Sequence, residues 1–270
     1  MSTLLPLLFL PPLFIPLIYV LGLKIGKKVG WVTLLPLLCI TSVIILLTPT
    51  ITHEHLIFEE YIWAPIINLT LGLLIDGLTL PALITLSLVF TAAAAYSIKY
   101  MEHRIGDENK ANNHPAYAAY YAVFLVYFAG IMGALLSTNL IEFYIFYEVA
   151  VIGSWALIYA YGYGARGKIA LSYFIWTHLG AVSLLIGILL IGWRINSYSI
   201  ADLHLLSGDP MVLWIVIAIL ICFLIKMAIV GLHSWLPDTY AESPAPISAA
   251  IGATSVVFGT YSAVRLITPL

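Results

Sequence analysis

Two glutamates in "TNLIEFYIFYEVAVIGSWALI", Glu142 and Glu148, and a lysine in "LICFLIKMAIVG", Lys226, put ionisable groups into runs that are otherwise almost wholly apolar. A charge at the centre of a membrane helix costs about 2.5–3.5 kcal/mol on insertion scales, so such groups persist where they are paired, hydrated or functional. A carboxylate and an amine brought together in a low-dielectric site each favour the other's ionised form. Displacing the carboxylate then favours release of the lysine's proton, which is the chemistry of a proton relay. An arginine could not serve, because its guanidinium stays protonated.

Glu148 is the deepest of the three, roughly 12–15 Å from either end of its run at 1.5 Å per residue. Glu142 comes six residues earlier, about 120° round the helix from it. It lies near the end that begins at Asn139, and both an access-path role and simple solvation fit it there. Lys226 comes shortly before Gly231, and the sequence continues as "LHSWLPD" with Pro237 instead of turning polar. That pattern predicts an interrupted helix, whose freed backbone groups must be satisfied by protein or water. His178 in "YFIWTHLGAVSLL" is compatible both with a relay group and with a neutral histidine bonded to a backbone carbonyl. His233 stands beside the predicted break, and Ser243-Pro244 reads as the N-cap and first turn of the following helix.

The elements that must position these groups are membrane helices. The 270 residues are 62% hydrophobic and 9% charged, with a mean hydropathy of +1.05. Eight segments reach the length that crosses a hydrocarbon core: Leu4–Leu23, Val29–Thr48, Leu78–Ile98, Tyr117–Ser137, Leu140–Tyr161, Ile169–Trp193, Met211–Gly231 and Pro246–Thr268. The basic residues Lys24, Lys27 and Lys28 follow the first run, so it reads as a retained span and not as a signal peptide. With the N-terminus outside, Lys24, Lys27, Lys28, Lys99, Arg104, Lys110, Arg166 and Lys168 fall inside, against Arg194 and Arg265 outside.

The stretch from Pro49 to Asp76 is the one long outside connection, expected as two short strands folded over the membrane face. Its His53, Glu54 and His55 lack a fourth ligand at metal-binding spacing and are expected as a solvated loop. No phosphate-binding loop, serine elbow or HExxH pattern occurs, and Cys39 and Cys222 both lie in apolar runs. No long stretch of the sequence occurs twice.

Together these residues form a pattern. The chain resembles the antiporter-like subunits of proton-pumping respiratory complex I and their relatives in membrane-bound hydrogenases and multisubunit sodium/proton antiporters. The resemblance runs from "LLIDGLTLPALITL" and "YSIKYM" to "KMAIVGLHSWLPDTYAESPAPISAAIGATSVVFGTYSAVRL". It implies an ion pair at the positions of Glu148 and Lys226, at the heart of a half-channel. It also implies three leading helices followed by a five-helix unit with a broken seventh helix; the family's second inverted five-helix unit is absent from this sequence, which reads as truncated after the first unit at Leu270. Where the family carries a lysine in the eighth helix this sequence has Val257, and where it carries a second histidine after Trp-Leu-Pro-Asp it has Tyr240.

The expectation is therefore an all-α integral membrane protein of about eight transmembrane helices with a β-hairpin-like outside loop. Residues 1–116 would form the leading helices and loop, and residues 117–270 the half-channel unit. Ion translocation would run through Glu148, Lys226, His233, His178 and Glu142, with no catalytic residue and no cofactor in this chain. The resemblance implies further antiporter-like membrane subunits and peripheral iron–sulfur redox subunits as partners, in an energy-transducing membrane and without nucleic acid. A secondary sodium/proton antiporter and a scaffold with an incomplete channel are the alternatives.

Overall fold

The computed structural model describes residues 4–54, 56–64, 69–108 and 113–270. Inside lipid a backbone must satisfy its own N–H and C=O groups, so each apolar run forms a helix. Helices α1 (Leu5–Ile25) and α2 (Val29–Glu54) meet at a tight turn, Gly26–Lys28. The hairpin β1 (Leu56–Ala64) and β2 (Leu69–Asp76) follows, then α3 (Thr79–Glu108), α4 (His114–Leu136), α5 (Leu140–Tyr161) and α6 (Arg166–Ile195). A short helical turn at Ile200–Leu206 leads into α7 (Val212–Lys226). Beyond a break come α8 (Leu236–Glu242), α9 (Ala245–Ala253), a π-helical turn at Thr254–Phe258 and α10 (Gly259–Ile267).

Among the described residues six segments are long and apolar enough to cross a membrane, the first of 47 residues comprising α1 and α2 together. The shorter α7 adds 15 apolar residues. The expected multi-pass helical architecture is thus present, with its seventh helix interrupted between α7 and α8. The side chains of His53, Glu54 and His55, and Lys110, lie outside the described residues.

Several helices outrun their apolar segments. α2 continues through Pro49 to Glu54, and α3 reaches Glu108 instead of stopping at Ile98. Intrahelical bonding persists through polar turns, so hydropathy marks the lipid boundary and not the helix end. Ser243 does not N-cap α9: Pro244 occupies the cap position, and the buried Ser243 Oγ has no hydrogen-bond partner among the described residues.

Helix α4 is the axis of the bundle, with 83% of its apolar window buried. Small residues let it approach α5 closely. A Cβ added at Gly130 would stand 2.5 Å from the Ala150 nitrogen, so only glycine fits that crossing. Phe90 of α3 packs against Phe124, Tyr127 and Phe128 of α4, with ring centroids 5.1–5.4 Å apart.

At one end of the bundle the antiparallel hairpin pairs Leu56 with Asp76 and Ile62 with Thr70. Its ladder continues sideways. Thr138 N–H donates to Gly72 O at 3.1 Å, Ile200 N–H to Thr138 O at 2.9 Å and Leu140 N–H to Tyr198 O at 2.8 Å. A hydrogen-bonded ribbon therefore links the hairpin, the α4–α5 corner and the segment after α6. The same end holds Asp76, which accepts from Arg265 Nη2 at 2.6 and 2.7 Å and caps α3 through the Thr79 N–H at 2.8 Å. Burial pushes the Asp76 carboxyl up, but the Arg265 guanidinium and the Thr79 N–H outweigh it and hold the group below its ordinary value.

The opposite end gathers most of the basic residues. There Lys27 donates to Glu102 at 2.5 Å, and Arg104 donates to the Tyr161 and Gly162 carbonyls.

Candidate ion-translocation site

The break after α7 is the feature that most shapes the site. Met227 caps the helix and Ala228 takes a left-handed conformation at φ 52°. Ala228 N–H donates to Ile225 O at 3.0 Å and Ile229 N–H to Leu224 O at 3.1 Å. This is the Schellman pair of bonds, with alanine where glycine is usual. The indole Nε1–H of Trp235 also donates to the Ile225 carbonyl, at 3.2 Å, and ties the segment after the break to the end of α7. Gly231, at φ 97°, turns the chain back, and its N–H donates to His233 Nδ1 at 3.1 Å.

Lys226 is the last residue of α7 and only 1% exposed. Its ammonium lies over two tyrosine rings, 5.9 Å from the centroid of Tyr147 and 6.0 Å from that of Tyr173. These are cation–π distances at the outer limit of the interaction. The box is itself fixed. Tyr173 shares a hydrogen bond of 2.8 Å with Ser154 and meets Trp235 edge-on at 5.3 Å, and Tyr147 stacks on Phe258 at 5.7 Å. Phe258 belongs to the π-helical turn, which also contains Val257.

Glu148, one residue after Tyr147 on α5, faces elsewhere. Its Oε1 accepts from the Tyr144 hydroxyl at 2.9 Å and lies 3.5 Å from Nδ1 of His178. That nitrogen is buried and lacks hydrogen-bond geometry toward any described partner, so the contact is a close approach and not a hydrogen bond. The rest of the imidazole stacks on Phe174 and leaves the His178 side chain 44% exposed, against 18% for Glu148.

The structure thus joins Glu148 to His178 and leaves Lys226 apart. No described carboxylate oxygen comes within 4.0 Å of the lysine nitrogen. The contact pair implied by the resemblance is absent from this arrangement, because α7 ends with Lys226 turned into the tyrosine box. His233 is exposed on the break and touches neither group. Glu142 is not solvated, being 1% exposed. Its Oε2 accepts from Gly72 N–H at 3.1 Å.

Sequence reasoning missed Tyr144, Tyr147, Tyr173 and Trp235. Tyr144 was legible in principle, since it precedes Glu148 by four residues and so shares its helix face. The other three converge from α5, α6 and the loop after the break, and no spacing marks them.

The fold and this arrangement define a multi-pass membrane protein with ionisable groups buried around a broken helix. The family described as "NADH:quinone oxidoreductase/Mrp antiporter, TM" matches residues 137–270, and "NADH-Ubiquinone oxidoreductase (complex I), chain 5 N-terminus" matches residues 63–111. The chain belongs to the family of antiporter-like subunits found in complex I and Mrp antiporters. The NADH-quinone oxidoreductase subunit M of Rickettsia felis is 27% identical over 221 residues, covering 78% of this chain and 41% of that protein. The Mrp complex from Dietzia sp. DQ12-45-1b superposes with a TM-score of 0.80 at 20% identity, over 97% of this chain and 28% of that one. Respiratory complex I from Thermus thermophilus gives 0.77 at 20% identity, over 99% of this chain and 53% of that one. These two likenesses are of fold. The chain spans less than half the length of the Rickettsia relative.

Proposed function

We propose that this chain carries one half-channel of an ion-translocating, antiporter-like subunit in a redox-driven membrane assembly related to complex I, with protons as the ion. The observation that carries the reading is Lys226, buried to 1% exposure at the break of α7 with an aromatic box in place of a counter-ion. An amine in that position can hold or release a proton, whereas a guanidinium cannot. Glu148 and His178 provide the neighbouring exchange group, because a carboxylate and an imidazole 3.5 Å apart pass a proton with a small ring movement. Glu142 and His233 stand toward the two ends of this path. A change of charge in an adjoining subunit would bias Glu148 against Lys226 and so couple electron transfer to ion movement.

Residues 117–270 form the half-channel unit in this reading, and residues 1–116 the leading helices and loop. The basic end, with Lys24, Lys27, Lys28, Arg104 and Lys168, lies inside and the N-terminus outside. Redox cofactors belong to partner subunits. Among the described residues no group of three or more His, Cys, Asp or Glu could hold a metal. A secondary antiporter without redox partners is the second reading, favoured by the likeness to the Mrp complex.

Mass spectrometry of everything that co-purifies with the chain in mild detergent separates the two. Iron–sulfur subunits together with other antiporter-like subunits support the redox-driven reading. Antiporter-type subunits alone overturn it in favour of the second.

A further inference from the structure

Tyr144 and Glu148 are four residues apart on α5 and so share one helix face. The Tyr144 hydroxyl donates to Glu148 Oε1 at 2.9 Å, and among the described residues this is the one hydrogen bond that the Glu148 side chain receives. A phenol donating to a carboxylate makes a charge-assisted bond, stronger than one between neutral groups. Without such an anchor a glutamate exchanges among several staggered rotamers. The Tyr144 ring is half-buried against the core, so the hydroxyl is itself held in place. A carboxylate oxygen has two lone pairs, and this bond leaves Oε1 the second. His178 Nδ1 stands 3.5 Å from that same oxygen, buried and without a hydrogen-bond partner among the described residues. The imidazole is clamped separately, its ring lying on Phe174 at 9° with 5.1 Å between centroids. One atom, Oε1, is thus bonded to the phenol and approached by the imidazole.

From this arrangement we infer that Tyr144 is the positioning residue for proton exchange between His178 and Glu148, its hydroxyl holding Oε1 where a small turn of the imidazole completes the contact. In the transfer the Nδ1–H bond of the imidazolium breaks and an O–H bond forms on the second lone pair of Oε1. The imidazole is left neutral, and Tyr144 keeps its own proton throughout. This role rests on the half-channel reading of Glu148 and His178.

Tyr144→Phe removes the hydroxyl and keeps the ring. The test measures proton movement by the intact assembly in sealed vesicles for Tyr144→Phe alone, for His178→Phe alone and for the two combined, with Glu148→Gln alongside. Tyr144→Phe is expected to slow proton movement about tenfold, as the loss of a hydrogen bond to a charged group would. Added to His178→Phe it is expected to cost less than about twofold more, because the hydroxyl then has no exchange to position. Difference infrared spectra give a second readout: the Glu148 carboxylate band, identified by its loss in Glu148→Gln, should shift in Tyr144→Phe. An unchanged rate in Tyr144→Phe, an equal loss with and without His178, or an unmoved carboxylate band would overturn the positioning role. If Glu148→Gln stops proton movement and Tyr144→Phe does not, the role of Tyr144 falls alone. If Glu148→Gln leaves the rate unchanged, the half-channel reading falls and the role of Tyr144 falls with it.

Discussion

Glu148 and His178 face each other across α5 and α6 with Oε1 3.5 Å from Nδ1, while Lys226 stands apart among tyrosine rings. The carboxylate therefore has an imidazole neighbour that is already in place, and the lysine has no described carboxylate within 4.0 Å. If the imidazole passes protons to Glu148, its removal slows translocation without disturbing the fold. His178→Phe keeps the stacking on Phe174 and is expected to lower ion flux about 100-fold, the lower end of what a lost acid–base group costs. Flux in reconstituted vesicles checks this. Unchanged flux would assign His178 to packing alone.

Lys226 makes no ion pair with a described residue, so its removal orphans no described carboxylate. Replacing a buried charge with an apolar side chain of similar volume is often neutral or stabilising. Lys226→Met is accordingly expected to change stability by no more than about 1 kcal/mol, or to raise it, while abolishing ion movement. Thermal unfolding of the detergent-purified protein is the measurement. A loss of several kcal/mol would mean that the lysine holds the break together.

The break itself carries strain at Ala228, which occupies the left-handed position at φ 52° that glycine adopts at no steric cost. Ala228→Gly should therefore stabilise the chain by about 1 kcal/mol. A destabilising outcome in thermal unfolding would show that the alanine methyl packs usefully there.

Asp76 and Arg265 tie the start of α3 to the end of α10. The folded-state value of Asp76 is depressed below the unfolded one, so its contribution is complete above the unfolded carboxylate range and is lost as pH falls through the folded value. The wild type should lose stability as pH drops below about 4. Asp76→Asn should be less stable at neutral pH by about 1–3 kcal/mol and show a shallower acid dependence. Unfolding followed from pH 7 to pH 3 distinguishes the two chains.

Much of this architecture was legible because lipid imposes it: apolar length fixes the passes, and Gly231 with Pro237 announced the broken helix. Helix ends such as Glu54 and Glu108 were not legible, since backbone bonding runs on beyond the lipid. The intramembrane charges stood out one by one, but their partners did not. Whether Glu148 meets Lys226 or His178 depends on the rotation of α5, α6 and α7 about their axes, which is set by close contacts such as Gly180 against Cys222 and Gly153 against Tyr127. The Asp76–Arg265 pair spans 189 residues, a separation no local pattern reports.

Proton movement by the intact assembly in sealed vesicles, driven by its electron donor or by an imposed gradient, tests the central claim most directly when wild type is compared with Glu148→Gln and Lys226→Arg. Glutamine keeps the shape without the proton exchange, and arginine keeps the charge without releasing it. Both variants are expected to assemble and to lose most of the ion movement that this chain contributes. Unchanged translocation in both would contradict a proton path through Glu148 and Lys226.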